Sequence, residues 1–198
     1  MQSSFEDLIS SFLENKIGIS NSFLSNDLAL KLKTNLLTLY KQKDLKAASI
    51  GNDYLLNTDD TIRRDKIFWL DKYSNNYSEK LFFELIDAFV LYLNSTCFTG
   101  IRSYEFHYAM YEKGAFYKKH LDQFKTDTGR AFSMVMYLNE SWRVKDGGQL
   151  KVYLEPKFEI ISPENKKCVF FRSNELAHEV LLTSVSRMSI TGWLKTCL

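Results

Sequence analysis

The sequence predicts an α+β chain that is mainly β, a sandwich or distorted jelly roll with supporting helices in its N-terminal half. Two observations carry this. From about Ile101 onward, apolar residues recur at every second position through many short segments separated by turn residues. Before that point they recur at helical spacing in three stretches. A chain of 198 residues with two prolines, eight glycines, no repeat and no Pro/Gly/Ser-rich linker reads as one domain. Residues 1–100 supply mainly helical support and a loop, and residues 101–198 supply the core sheets.

Phe5 to Leu13 is amphipathic, and Ser3 and Glu6 have the spacing of a capping box. Ser25 to Lys41 carries apolar residues at helical spacing and is expected to be a long helix. Lys46 to Asp65 is largely polar, with Gly51-Asn52-Asp53 and Asn57-Thr58-Asp59-Asp60, and reads as a mobile loop. Ser78 to Leu93 repeats the helical pattern and begins at a serine cap. The period then changes. Tyr104, Phe106, Tyr108 and Met110 alternate with Glu105, His107 and Ala109. Arg130 to Asn139 follows as a strand that puts Ser133, Val135 and Tyr137 on one face. Leu150 to Tyr153, Phe158 to Ile161, Cys168 to Phe171, Glu179 to Leu182 and Arg187 to Lys195 complete the set. Gly147-Gly148 and Ser162-Pro163-Glu164-Asn165 mark turns.

Composition bounds the function. A hydrophobic share of 45% with 15% aromatic residues is enough for a sizeable core. A net charge of +2 argues against generic affinity for nucleic acid or membrane. Lys118-Lys119 and Lys166-Lys167 read as solvated edges. Cys97, Cys168 and Cys197 are odd in number and lack zinc spacing, which suits a reducing cytoplasmic setting. Cys97 and Cys168 lie in apolar stretches and are expected in the core, Cys197 near the surface. No signal-peptide pattern opens the sequence, and the apolar run Ala88 to Leu93 is too short to span a bilayer.

Two of the three histidines fall in one pattern, His120-Leu121-Asp122 followed by His178. A His-x-Asp pair plus a distant histidine is the ligand set of a two-histidine, one-carboxylate iron(II) site. In an extended strand His120 and Asp122 would face the same side, leaving His178 to arrive from elsewhere in the sheet. Three ligands on one face leave coordination positions open for chemistry, unlike a closed structural zinc site. Arg187 follows nine residues after His178 and, in a strand, shares a face with Ser189, Thr191 and Trp193. An inward arginine among apolar neighbours should have an anionic partner, and a dicarboxylate that also reaches the metal would fit. His107 is off this motif and is not expected to be a ligand.

The chain resembles the 2-oxoglutarate- and iron-dependent oxygenases, and among them the prolyl hydroxylases of hypoxia-inducible factor and their bacterial relatives. The resemblance runs from Lys16 to Trp193. It includes Ile17-Gly18-Ile19 with Ser22-Phe23-Leu24, the segment Ile62 to Trp69, Tyr111 through Asp122, and Tyr137-Leu138-Asn139 with Trp142. It continues through Gly147 to Leu150, His178-Glu179-Val180 and Arg187 to Trp193. The fold so implied is a double-stranded β-helix, the distorted jelly roll. The resemblance implies Fe(II) held by His120, Asp122 and His178, with 2-oxoglutarate and O2 as cosubstrates and ascorbate in support. Arg187 and Tyr137 would hold the distal carboxylate. Tyr111, with Tyr108 the alternative, and Thr191 would line the pocket, and Leu150 and Trp193 would wall it. Arg130, Arg63 and Asp65 are the implied substrate contacts, and the Lys46–Asp65 loop an implied lid.

The function so implied is 4-hydroxylation of a proline in a protein, a translation elongation factor being the expected substrate. Hydroxylation of another residue or of a small molecule would use the same iron and cosubstrate residues. Oxidative demethylation of nucleic acid fits less well, since the related demethylases carry a second arginine where this chain has Trp193. A non-catalytic binding module need not retain all four groups. Asp122 leaves no room for the halide of a halogenase, and Arg187 stands where secreted collagen-type enzymes usually carry lysine.

Overall fold

The computed structural model describes residues 2–48, 59–123 and 129–197. Three helices pack on one face of a seven-stranded sheet, and a four-stranded sheet faces the other side. The helices are α1 (Gln2–Asn15), α2 (Asn26–Gln42) and α3 (Tyr77–Thr96). The strands are β1 (Gly18–Ser20), β2 (Lys46–Ala47), β3 (Asp65–Trp69), β4 (Ser103–Tyr111), β5 (Tyr117–His120) and β6 (Arg130–Tyr137). They continue as β7 (Leu150–Leu154), β8 (Lys157–Ile161), β9 (Cys168–Arg172), β10 (His178–Val180) and β11 (Arg187–Lys195). The larger sheet has the order β1-β9-β6-β11-β4-β3-β2, the smaller one β5-β10-β7-β8, and every pairing is antiparallel. This is the jelly-roll arrangement expected from the alternating pattern.

The period of two gives the larger sheet its two faces. Phe106, Tyr108, Met110, Met134, Met136, Phe170, Ile190 and Leu194 meet the helices, where Leu8, Leu32, Leu36, Phe82, Ile86 and Phe89 are fully or nearly fully buried. Each such side chain contributes roughly 1.5–3 kcal/mol of transfer free energy. The opposite face carries Ala109, Tyr111, Val135, Tyr137, Val169 and Phe171, which close against Leu150, Val152, Ile161, Leu176 and Val180. Gly192 is required in β11 because a Cβ there would lie 2.1 Å from the Phe106 ring and 2.3 Å from the Glu105 carbonyl.

Several local expectations need correction. Helix α1 is already under way at Gln2, so Ser3 sits inside it and does not cap it. Helix α3 is capped by Asn76, not Ser78; the Asn76 side chain accepts from the Ser78 and Glu79 amides, which need a side-chain acceptor one step outside the helix. Ser25 caps α2 as expected, accepting from Leu28 N at 3.1 Å. The segment read as a loop contains β2 and runs into β3, which pairs with β4. Residues 49–58, where the lid was expected, lie outside the described residues. Strand β6 stops at Tyr137, because Asn139 leaves the ladder to bond Pro163 and Met188. Strand β10 begins at His178 and ends at Val180, two residues short of Leu182, after which Leu181 N bonds Gln149 O. Cys97 is exposed because it forms the C-cap of α3, where the chain leaves the core; Cys168 is buried and Cys197 exposed. No helix among the described residues is long and apolar enough to cross a membrane.

Candidate active site

His120, Asp122 and His178 converge, with one potential ligand atom from each lying within 4.8 Å of the others. His178 stands directly opposite His120 in the β10–β5 register, so strand pairing supplies the third group. Asp122 corrects the expectation of a shared strand: β5 ends at His120, and Asp122 lies in the bend beyond it. Other contacts aim its carboxylate. The Ser133 hydroxyl donates to Asp122 Oδ2 at 2.6 Å and lies 2.9 Å from the Ser173 hydroxyl, while Arg130 donates to the Asp122 main-chain carbonyl at 3.2 Å. Asp122 Oδ1 is 3.4 Å from His120 Nε2, and Oδ2 is 3.5 Å from His178 Nε2. Two donor bonds of ~2.1 Å can span up to ~4.2 Å, so one cation between each pair is geometrically accessible.

The orientation of both imidazoles suits metal binding. His120 Nδ1 donates to the Lys118 carbonyl at 2.7 Å, and His178 Nδ1 to the Leu176 carbonyl at 3.1 Å. Each bond places the ring proton on Nδ1 and leaves the Nε2 lone pair facing Asp122. His120 is stacked on Tyr117 at 3.6 Å, and Phe171 packs edge-on against His178 at 4.8 Å. Burial pushes His178 down to about 4, so its ring is neutral near pH 7. Burial alone would raise Asp122, but His178, His120 and the Ser133 hydroxyl outweigh it and hold the carboxyl ionised. Two imidazole nitrogens beside an ionised carboxylate are the donor set of a borderline divalent cation such as iron(II).

Arg187 is the largest fully buried side chain, at 1% exposure. Its Nε donates to the Gly148 carbonyl at 2.8 Å, and a terminal nitrogen reaches Ser189 Oγ at 3.4 Å. Its guanidinium lies 4.8 Å from the Tyr111 ring centre and 4.9 Å from that of Tyr137. No carboxylate among the described residues is paired with it, so the anionic partner the sequence called for is not one of those protein groups. Gly148 has φ +65°, and a Cβ there would press on Arg187 Cδ at 3.1 Å, so glycine lets the backbone approach the arginine. The Tyr137 hydroxyl is buried without a hydrogen-bond partner. Burial pushes that phenol up to about 12 and raises Tyr111 further still, so both remain O–H donors at neutral pH. A buried, uncompensated cation flanked by two phenols fits a carboxylate.

Other predicted residues take places around this line. Tyr111 is opposite Arg187 in the β4–β11 register, whereas Tyr108 faces the helices and bonds Asn35. Thr191 lies on the same face, opposite His107, and Leu150 is buried between the sheets. Trp193 is nearly buried under the Arg130 guanidinium, 3.5 Å from its ring centre. Arg130 also pairs with Glu105 at 2.8 Å. Arg63 and Asp65 hold each other in a two-point ion pair, at 2.8 and 2.6 Å, with the Asp65 side chain fully buried. Arg63 also covers the Tyr117 ring at 4.2 Å. Glu179 points away from the cluster, toward Tyr153 and Lys151. The sequence reading missed Ser133 and Ser173 as holders of Asp122, and Tyr117 as the platform for His120. The signal for Ser133 was a hydroxyl on the inward face of an otherwise apolar strand.

Comparison with known proteins agrees with this geometry. Residues 106–195 match the model of the 2OG-Fe(II) oxygenase superfamily. A crystal structure of a Pseudomonas putida prolyl-4-hydroxylase is similar at 30% identity and a TM-score of 0.87, covering 98% of this chain and 100% of that one. A prolyl hydroxylase from Trichoplax adhaerens, solved with a peptide fragment of the hypoxia inducible factor oxygen degradation domain, has 25% identity and a TM-score of 0.87, covering 97% and 89%. A viral collagen prolyl hydroxylase from Paramecium bursaria Chlorella virus-1, solved with 2OG, shares the fold at 16% identity and a TM-score of 0.63, covering 92% and 97%.

Proposed function

This chain belongs to the 2-oxoglutarate- and iron(II)-dependent oxygenases, and on that premise we propose that it is a cytoplasmic prolyl 4-hydroxylase acting on a proline in a polypeptide. Membership makes it a dioxygenase that uses Fe(II), 2-oxoglutarate and O2. Bound iron supplies the oxidative decarboxylation of 2-oxoglutarate to succinate and CO2, with the second oxygen atom of O2 entering a substrate C–H bond. The chain's own residues bind, orient and shield. His120, Asp122 and His178 would hold the metal, with Ser133 fixing the carboxylate and the Lys118 and Leu176 carbonyls fixing the rings. Arg187 would clamp the distal carboxylate of 2-oxoglutarate with the Tyr137 and Tyr111 hydroxyls, while Thr191, Leu150 and Trp193 line that pocket. We take the whole chain as one catalytic domain.

The observation that carries the prolyl reading is similarity over nearly the full length to two prolyl hydroxylases, at 30% and 25% identity. The position of the site supports a polypeptide substrate. Leu121, between two cluster residues, is 45% exposed, so the cluster lies close to the surface. A polypeptide segment would approach from that exposed side. Three free cysteines support a reducing cytoplasmic setting. A translation elongation factor is the first protein to test.

The test is to incubate the protein with Fe(II), 2-oxoglutarate and that factor, or a cell extract, and map oxygen gain by mass spectrometry. Addition of one oxygen to a specific proline is the expected result. Addition to another residue, or turnover stimulated by small molecules alone, would overturn the reading.

A further inference from the structure

The site face of the larger sheet contains polar atoms that the cosubstrate reading does not use. Four buried side-chain atoms among the described residues have no hydrogen-bond partner: His107 Nδ1, Tyr137 Oη, Asn165 Oδ1 and Trp193 Nε1. Tyr137 Oη is accounted for by a carboxylate at Arg187. His107 and Trp193 are not, yet they are neighbours, with ring centres 5.5 Å apart. Leaving a buried donor or acceptor unmade costs roughly 1–3 kcal/mol each, so two together call for an explanation.

Register places His107 on the site side. It is on β4 directly opposite Thr191, two residues from Ala109 and four from Tyr111, all on the face that turns away from the helices. Trp69, half-exposed, covers it edge-on at 4.9 Å, and Trp193 lies on its other side. Arg130 over the Trp193 ring connects this pair to the carbonyl of Asp122. The imidazole is therefore held between two indoles, one of them reaching solvent, on the same sheet face as Tyr111 and Arg187. Burial pushes the ring down to about 3, so it is uncharged at neutral pH. A neutral imidazole is both a donor and an acceptor, and the indole N–H only donates.

We propose that His107 is a substrate-binding residue, whose ring N–H together with the Trp193 indole N–H donates to one main-chain carbonyl of the substrate polypeptide. A carbonyl oxygen has two lone pairs and can accept from both donors. A prolyl residue has no amide proton, so at that residue a main-chain carbonyl is the polar group left to recognise. This inference rests on the polypeptide reading above, and its test separates the two.

The chain has three histidines, two of them in the metal cluster, so in protein carrying 15N-histidine the ring nitrogens of His107 are assigned by their loss in His107→Phe. The protein is loaded with Zn(II), which does not turn over, and saturated with 2-oxoglutarate. It is then titrated with N-acetyl-proline methylamide and, separately, N-acetyl-alanine methylamide. A saturable shift of a His107 ring nitrogen with the proline probe is the expected result. A shift with the alanine probe and none with the proline probe would sustain the role of His107 and count against proline. No shift with either probe, or a shift complete with 2-oxoglutarate alone, would overturn the inference. His107→Phe keeps the ring packing but removes both nitrogens, and should weaken the probe by about tenfold, the worth of one net hydrogen bond. The same variant should melt no lower than wild type, since it relieves an unpaired buried group. Unchanged probe affinity in this variant would equally overturn the inference.

Discussion

Replacing Arg187 with methionine should remove most of the stabilisation by 2-oxoglutarate while leaving the ligand-free protein at least as stable as before. The guanidinium is buried, donates once to the Gly148 carbonyl and makes one long contact to Ser189, with no carboxylate among the described residues to offset its charge. Methionine of similar length removes the desolvated cation, a change that is neutral or favourable by about 1–4 kcal/mol for buried ionic groups. Loss of the Gly148 bond costs about 1 kcal/mol in return. A carboxylate bound by two charge-assisted hydrogen bonds at about 1.5–3 kcal/mol each would lose about 3–6 kcal/mol, at least two orders of magnitude in affinity. At a concentration a hundredfold above the wild-type Kd, 2-oxoglutarate adds about 2.7 kcal/mol to folding. For a chain of this size that raises Tm by about 5–10 °C. In Arg187→Met the same concentration should raise it by about 1 °C. Anaerobic thermal melts of the Fe(II) protein, with and without 2-oxoglutarate, read both quantities. A full ligand shift in the variant, or a clear fall in its ligand-free Tm, would refute the argument.

Asp122→Ala and His178→Ala should each eliminate the visible charge-transfer band of anaerobic Fe(II) with 2-oxoglutarate, and turnover with it, while circular dichroism stays native; full activity in either would remove that residue from the metal site. Arg63→Ala leaves the fully buried Asp65 carboxylate without its ion-pair partner and should cost about 3–5 kcal/mol in urea unfolding, most of it recovered in Arg63→Ala/Asp65→Ala. A loss below about 1 kcal/mol would mean the pair is not buried as described. His107 has a folded pKa of about 3 against about 6.5 unfolded, because burial disfavours its charged form. The unfolded chain thus binds the extra proton first, so stability is full above about pH 6.5 and is lost as pH falls from there toward 3. Between pH 6.5 and 5 the loss attributable to His107 should be about 2 kcal/mol, read as the difference between wild type and His107→Phe. Parallel pH profiles for the two proteins would disprove it.

Much of the fold was legible because it is written in local periodicity. The alternation in Ser103–Tyr111 and Arg187–Lys195 specifies which side chains face the helices and which the smaller sheet, since a strand reverses direction at every residue. The same alternation put Arg187, Ser189, Thr191 and Trp193 on one face. His120, Asp122 and His178 were legible as a ligand set from residue type and spacing. Helix ends were less so: Ser3 and Ser78 have capping chemistry but sit inside their helices, because a cap depends on where neighbouring packing lets the helix begin.

What tertiary structure alone decided is how these groups meet. His178 faces His120 only because β10 pairs with β5 in that register, a non-local choice set by the two sheets closing on a shared core. Asp122 lies beyond its strand and is aimed by Ser133, eleven residues along the chain, and by Arg130. Among the described residues, the isolation of Arg187 from carboxylates, the burial of the Arg63–Asp65 pair and the unpartnered His107 Nδ1 and Trp193 Nε1 depend on which distant segments cover each position. Sequence carries the chemistry and facing direction of each side chain; desolvation and pairing depend on contacts between residues far apart in the chain, which the short-range pattern does not encode.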